Sequence, residues 1–345
     1  MSKKDKARYA KLIVNPGAGK ADEGPKNLER AARILKEHGI DVDVVLAHPK
    51  EEAVPIAKKA VKDGYDLVIA MGGDGTLEAV ISGIVGSKTR LGILPVGTAN
   101  NVARSLGIPL DLEEACVLIA EGNTNKLDLG QAKMKDGRKQ VFFEMAAVGL
   151  VAAVYPYANK VSNGRLSELK DAAMTFLHQD TRPKVKLTLD DESKIELETM
   201  LVVVSNTPIF GKNFLVAPNA SLQDGLLDIS VYPEFSKAEL LSYFARVMNE
   251  KNADDPKIQR YRARTVKIKA DPKQDVIADG IVLGRGTVEV KSRPSALWVI
   301  SPQAASVPAL GENPVADELP APVSPVGEVN YKPADTQGEP AREEA

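Results

Sequence analysis

The sequence predicts an α/β fold in two parts: an N-terminal doubly wound parallel sheet, and a C-terminal, mostly antiparallel β-sandwich. Three observations predict it. From residue 11 to about 122, short β-branched runs (KLIVN, VDVVL, DLVIAM, LGIL) alternate with helical segments, as in a parallel sheet whose crossovers are helices. After about Lys126 the texture changes to longer strands separated by turns. The 345 residues, 43% hydrophobic and 27% charged, suffice for two buried cores and exclude a disordered or fibrous chain over most of the length.

In chain order, the first helix is the best marked. Pro25 suits its first turn, Leu28, Ala31, Ala32 and Leu35 share one face, and Gly39 stops it. Ala53, Ala57, Ala60 and Val61 repeat that spacing in the next helix. The second part reads as the strands KLDLGQAKM, KQVFFEMAAVG, KVKLTLDD, KIELETMLVVVSN, LLDISVY, TVKIKA, DVIADG and TVEVKS, with helical stretches at 168–178 and 237–249. The final apolar run, ALWVIS, is a candidate to return to the first part. The boundaries expected are 1–126 for the α/β nucleotide-binding domain and 127–301 for the β-rich domain. Residues 302–345, rich in Pro, Ala, Glu and Asp, read as a disordered acidic tail.

Charge and cysteine content narrow the partners. Lys and Arg total 45 against 47 Asp and Glu, so a formal charge of −2 gives no global attraction to nucleic acid or anionic membrane. Membrane contact must therefore be local. The single cysteine, Cys116, has no disulfide partner and no neighbours at zinc-ligand spacing, which fits a reducing, cytoplasmic setting. No stretch approaches the roughly 18 apolar residues of a membrane helix, and the apolar run at 12–14 is too short for a signal-peptide core. A lipid substrate would be reached peripherally, from the water side. Oligomeric state is open, a homodimer included.

Three glycine-rich loops carry the chemistry. Asn15-Pro16-Gly17-Ala18-Gly19-Lys20 follows the first strand, Met71-Gly72-Gly73-Asp74-Gly75-Thr76 the third, and Leu94-Pro95-Val96-Gly97-Thr98-Ala99-Asn100-Asn101 the fourth. In an open parallel sheet that edge collects ligands, because helix N-termini and free N–H groups converge there on negative charge. Asp74 among glycines suits phosphates only with a divalent cation between them, which makes it a candidate magnesium contact. Neither of the first two loops is a P-loop, since Ala21 and Val14 stand where Ser/Thr and Gly are needed. The dinucleotide fingerprint fails too, because its third glycine falls at Asp22 or Glu78. Each loop alone also reads as a tight strand-to-helix turn; three on one edge point to a site.

These segments, in this order and spacing, resemble the diacylglycerol kinase catalytic-domain family, which includes bacterial lipid kinases and sphingosine and ceramide kinases and is related more distantly to NAD kinases. The resemblance extends to VVVSNTPIFGKNFLVAPNASLQDGLLDISVY and to VIADGIVLG, where the family carries Asp-Gly-Glu, and spans about 290 residues. It implies ATP with Mg2+, contacted by Asn15, Gly72, Gly73, Asp74, Gly75, Thr76, Gly97 and Thr98. It also implies a lipid hydroxyl entering between the two parts, and a structural magnesium held by Asp224 with the carbonyls of Ser221 and Leu226. Without the resemblance, Asp224-Gly225 reads equally well as a hairpin turn. The basic run KIQRYRARTVK reads as a lipid-headgroup contact or as a solvated face.

The chain departs from the family pattern at polar positions. Ile281 stands where the family supplies its catalytic Glu, so Asp279, two residues earlier, is the remaining candidate to position or deprotonate the acceptor; in a strand that spacing puts both side chains on one face. Asn101 stands where Asp is usual, Glu144 where Asn is usual, and VGLVAAV lacks an acidic residue after its glycine. The expected function is an ATP-dependent lipid kinase acting on diacylglycerol or a related lipid, with Asp74 and Asp279 as its catalytic carboxylates. The alternatives are a catalytically impaired nucleotide- or lipid-binding relative with a regulatory or carrier role, and a kinase for a soluble acceptor.

Overall fold

The computed structural model describes residues 8–19, 23–48, 50–152, 182–210, 214–250 and 255–302. The helical stretch expected at 168–178, part of VGLVAAV, Lys20 and the tail from 303 onward lie outside the described residues.

The first half is built from β1 (Arg8–Val14), α1 (Gly24–Glu37), β2 (Ile40–Leu46), α2 (Ala53–Lys62), β3 (Leu67–Gly72), α3 (Asp74–Ile84), β4 (Arg90–Pro95), α4 (Asn101–Ser105) and α5 (Leu112–Glu121). Its strands run parallel in the order β2-β1-β3-β4. The order reverses direction after β2, so right-handed crossovers place α1 on one face and α2 on the other. α1 packs with α5, and α2 with α3. Every residue of β3 is buried, as expected where helices cover both faces of a strand. α1 carries Pro25 in its first turn and buries Ala31, Ile34 and Leu35; α2 buries Ala53, Ala57 and Ala60. The chain leaves α1 through Gly39 and α5 through Gly122, both in the left-handed region (φ 74° and 73°).

The second half adds β5 (Thr124–Met134), β6 (Lys139–Phe142), β7 (Met145–Gly149), β8 (Lys184–Leu189), β9 (Ser193–Glu198), β10 (Leu201–Ser205), the short β11 (Ile209–Phe210) and β12 (Phe214–Leu215), and β13 (Leu227–Val231). After these come α6 (Lys237–Glu250), β14 (Gln259–Ala263), β15 (Thr265–Asp271), β16 (Asp275–Ala278), β17 (Ile281–Arg285) and β18 (Val288–Ile300). A six-stranded antiparallel sheet, β14-β13-β10-β7-β16-β17, packs against the strands β18, β15 and β8. Alternation does the sorting: Ala146 and Val148 of β7 join the core between the sheets, whereas Met145 and Ala147 face α6 with Leu240, Tyr243 and Val247. The sequence thus supports the α/β-plus-antiparallel reading, and the structure has it.

β18 joins the halves. Its first part pairs antiparallel with β15 and β5, and its end runs parallel to β4, with Trp298 opposite Arg90 and Val299 opposite Leu91. One ten-stranded sheet therefore passes from the parallel half into the antiparallel half. That continuity holds the strand ends of the first half in a defined position against the β6–β7 and β16–β17 connections of the second.

Candidate functional site

β1, β3 and β4 are neighbours, so the three glycine-rich turns at their C-terminal ends lie side by side. They touch. A Cβ on Gly97 would lie 2.4 Å from the Cα of Gly73, and one on Gly19 would lie 2.5 Å from the carbonyl oxygen of Val96. Real Cβ atoms cannot approach that closely, so glycine at these positions lets one loop lie on the next. The Asn15 side chain ties the first loop to the second, its Nδ2 donating to Thr76 Oγ1 at 3.0 Å while its Oδ1 accepts from the Gly17 N–H at 3.0 Å. Thr76 is buried and packs against Gly72, where a Cβ would fall 2.6 Å from its own. In the third loop Asn100 adopts the left-handed conformation (φ 53°). Its Oδ1 accepts from the Gly97 N–H at 3.0 Å, and its Nδ2 donates to the carbonyls of Gly97 (2.8 Å) and Pro95 (3.2 Å). Thr98 at the tip is exposed and Gly75 half-buried.

Asp74 opens α3, whose N-terminus has no side-chain cap. Its Oδ1 accepts the Val102 N–H at 3.2 Å, which links the second loop to the start of α4. Burial pushes its pKa up, against the pull of backbone N–H groups at Val102, Asn101 and Asn100. Beside it the Asn101 Oδ1 is buried without a hydrogen-bond partner. As at other described positions, no group of three or more His, Cys, Asp or Glu side chains is gathered here, so the oxygens at hand for a hard divalent cation are the Asp74 carboxylate and the Asn101 amide oxygen of the adjoining loop.

Asp279 sits elsewhere than strand periodicity predicts. Ala278 pairs with Ile281, so Asp279 and Gly280 (φ 42° and 79°) form a two-residue hairpin turn between β16 and β17. The period-two argument that placed Asp279 and Ile281 on one face therefore does not apply. The turn aims the Asp279 carboxylate at the β6–β7 connection, where it accepts from the backbone N–H groups of Phe143, Glu144 (3.0 Å) and Met145 (3.0 Å). The Asp279 N–H returns a bond to the Met145 carbonyl at 3.0 Å. Burial pushes its pKa up to about 6; the three N–H groups oppose that rise and the charge of Asp74 adds to it. The two carboxylates, one from each half, are thus close enough to repel. Both Asp279 oxygens are engaged, because the Glu144 N–H also reaches the second oxygen at 3.3 Å, and these four contacts match the roughly four acceptor positions of a carboxylate.

The turn from Ser221 to Leu226 is compact, but its carboxylate is engaged. Asp224 accepts the Leu226 N–H at 2.9 Å and pairs with Arg262, whose Nε also lies 3.4 Å from Asp228. Burial drives the Asp228 pKa up to about 6, and Arg262 moderates the rise. Ser221 Oγ accepts from the Gln223 N–H at 3.3 Å. Among the described residues no group of three or more His, Cys, Asp or Glu side chains is placed to hold a metal. The positive charge beside the Asp224 carboxylate in this structure is the Arg262 guanidinium. Within the basic run at 257–267, Arg262 is engaged by carboxylates.

Three residues with organising roles escape sequence reasoning. Asn100 is signalled only by an Asn before a helix. Asp128, a carboxylate inside the apolar strand KLDLG, is buried and accepts the Gly225 N–H at 2.6 Å and the Ser295 N–H at 2.7 Å, which clasps the 221–226 turn to β5 and β18. Arg262 carries no local signal, because its partners lie on other strands.

Comparison with known proteins agrees with this arrangement. Residues 9–132 match the diacylglycerol kinase catalytic domain, and residues 145–301 match the YegS C-terminal NAD kinase beta sandwich-like domain. The chain is similar to the diacylglycerol kinase of Mycobacterium tuberculosis (30% identical over 295 residues, 84% of this chain and 94% of that one). It is also similar to the diacylglycerol kinase of Bacillus subtilis (28% identical, 79% and 89% covered). In fold it resembles a diacylglycerol kinase structure from Bacillus anthracis, with a TM-score of 0.68 at 24% identity, over 88% of this chain and all of that one.

Proposed function

The chain belongs to the diacylglycerol kinase catalytic-domain family of the NAD kinase superfamily, and on that premise we propose that it is an ATP-dependent lipid kinase that phosphorylates a hydroxyl of diacylglycerol or a related lipid. One observation carries the reading. Three mutually packed loops at adjacent strand ends present Asp74 and an uncapped helix N-terminus, and Asp279 approaches from the other half closely enough to feel Asp74's charge.

The roles follow from the geometry. Asn15, Thr76 and Asn100 hold the loops in register, so that Gly72, Gly73, Gly75, Gly97 and Thr98 line the place where phosphate oxygens would rest. Asp74, with the Asn101 amide oxygen beside it, would hold the magnesium that accompanies the nucleotide. When bound, that ion supplies neutralisation of phosphate charge. Burial raises the Asp279 pKa to about 6, and its role would be to orient the lipid hydroxyl, whose donor would displace the longest amide contact, the Glu144 N–H at 3.3 Å. The hydroxyl oxygen forms the new bond to γ-phosphorus, the bond to the bridging oxygen breaks, ADP departs, and the proton passes to the carboxylate or through it to water. The relatives named diacylglycerol kinase support the lipid acceptor. Among the described residues no helix is long and apolar enough to cross a membrane, which agrees with peripheral access to that substrate.

The test is phosphoryl transfer from γ-labelled ATP with magnesium into a panel of diacylglycerols, monoacylglycerols and sphingoid bases. A labelled lipid that disappears in Asp74→Ala supports the reading. No product with any lipid, together with transfer gained in Ile281→Glu at unchanged nucleotide affinity, would assign the chain instead to the impaired relatives.

A further inference from the structure

The outward face of the β18-β15-β8-β9 strands, extended through β5 and β6, carries a charge pattern that the fold itself does not need. On each strand alternate residues enter the core, and those between point to solvent. On β15 the outward positions include Lys267 and Lys269; on β8, Lys184 and Lys186; on β18, Lys291. Pairing puts Lys269 directly opposite Lys186, and on the other side of the face Lys133 directly opposite Lys139. Like charges opposite one another destabilise a sheet. The acidic residues on this face, Glu196, Glu198, Asp271 and Glu289, are outnumbered by the lysines: Asp271 and Glu198 lie opposite Lys184, Glu289 lies opposite Lys267 and Lys133, and ion pairs join Glu196 to Lys186 and Glu289 to Lys291. Among the described residues Lys133, Lys139, Lys267 and Lys269 are exposed and make no ion pair within 4.0 Å.

We propose that this lysine-rich sheet face docks the protein on an anionic lipid bilayer. The inference rests on the lipid-kinase reading and adds the surface by which the enzyme would reach its substrate. Opposed lysines are tolerated where an array of negative headgroups lies over them, and each contributes attraction in a chain whose net charge supplies none. The outward positions of β8 and β15 carry no aromatic side chain, and Trp298, farther along β18, is covered by Lys126 at 4.7 Å from its ring centre, so the lysine-bearing strands lack the stacking platform of a single-strand nucleic-acid binder. Its position also connects with the site. β6, at one margin, packs beside β17, where the Arg138 guanidinium lies against Gly284. β17 begins immediately after the Asp279–Gly280 turn with Ile281 and Val282, which are 42% and 49% exposed. Large apolar side chains left in water at a hairpin that adjoins a basic face are suited to contact the acyl region beneath the headgroups.

The experiment is co-sedimentation of the full chain with vesicles of phosphatidylcholine, with and without about one third phosphatidylglycerol. Partitioning into the anionic vesicles alone, weakening as salt rises, is the expected result. The Lys267→Glu/Lys269→Glu variant should partition about thirtyfold less or weaker still, with an unchanged melting temperature and unchanged turnover of a short-chain diacylglycerol dispersed in neutral detergent. Equal binding to neutral and anionic vesicles, an undiminished variant, or tighter retention on duplex DNA than on anionic vesicles would overturn the proposal. If the variant does not fold, the salt dependence of the unmodified chain decides. Charge-dependent partitioning with no turnover of any lipid would uphold the docking face while removing the kinase reading.

Discussion

Asp74 and Asp279 come from opposite halves of the chain and lie close enough to repel, yet their oxygens are committed differently. Asp74 gives one oxygen to the Val102 N–H and adjoins an unpartnered Asn101 oxygen. Asp279 is held by three successive amides and pins the β16–β17 turn to the β6–β7 connection. The first carboxylate is available to a ligand, whereas the second is chiefly a clasp, in which only the long Glu144 contact at 3.3 Å is readily displaced. Function and stability should therefore separate at Asp74 and coincide at Asp279.

That contrast can be broken most readily at Asp74. In Asp74→Ala the rate of phosphoryl transfer is expected to fall by about 100-fold or more, the size of effect seen when a preorganised charge-stabilising group is removed. Thermal melting should move by only a few degrees, since the N–H groups of Val102, Asn101 and Asn100 lose one half-buried acceptor. A large melting shift would mean that Asp74 is structural as well.

Asp279→Ala should lose activity and stability together. Three amides would be left without their acceptor, at a cost of about 3 kcal/mol measured by urea unfolding. Activity of the unmodified protein should rise with pH through about 6 as Asp279 ionises, and that limb should vanish in Asp279→Asn. Stability moves the other way. Asp279 and Asp228 both have folded pKa values near 6, above the unfolded value, so the folded state binds more protons between about pH 4 and 6. Their contribution is fully present below that window and is lost as pH rises through it, which a melting series across pH 4 to 7 would reveal.

The smallest expected effect concerns the 221–226 turn. Because Arg262 supplies its positive charge, adding magnesium or a chelator should leave the melting temperature unchanged within about 1 °C, whereas Arg262→Met should lower it by a few degrees. A magnesium-dependent rise would restore the metal reading of Asp224, Ser221 and Leu226.

What was legible in the sequence was local. The α1 face, its Pro25 start and Gly39 stop, the alternation inside β8 and β15, and the three glycine loops all follow from spacing over a few residues. What was not legible depends on pairing across the chain. No local pattern could show that ALWVIS ends beside β4, that Arg262 faces Asp224, or that the loop glycines serve first to let the loops touch. Asp279 failed for a specific reason: an Asp-Gly pair can be a strand end or a hairpin turn, and the turn won. The lysine face is intermediate, since KVKLTL and TVKIKA announce alternation, but only the register sets Lys269 against Lys186.

The most direct test of the account is calorimetric titration of the purified protein with Mg-ATP, compared with Asp74→Asn and with Gly97→Val, whose side chain would wedge the third loop from the second. The account predicts saturable binding to the unmodified chain that weakens at least tenfold in both variants, with folding intact in Asp74→Asn. Absence of saturable binding, or equal affinity in all three proteins, would contradict it.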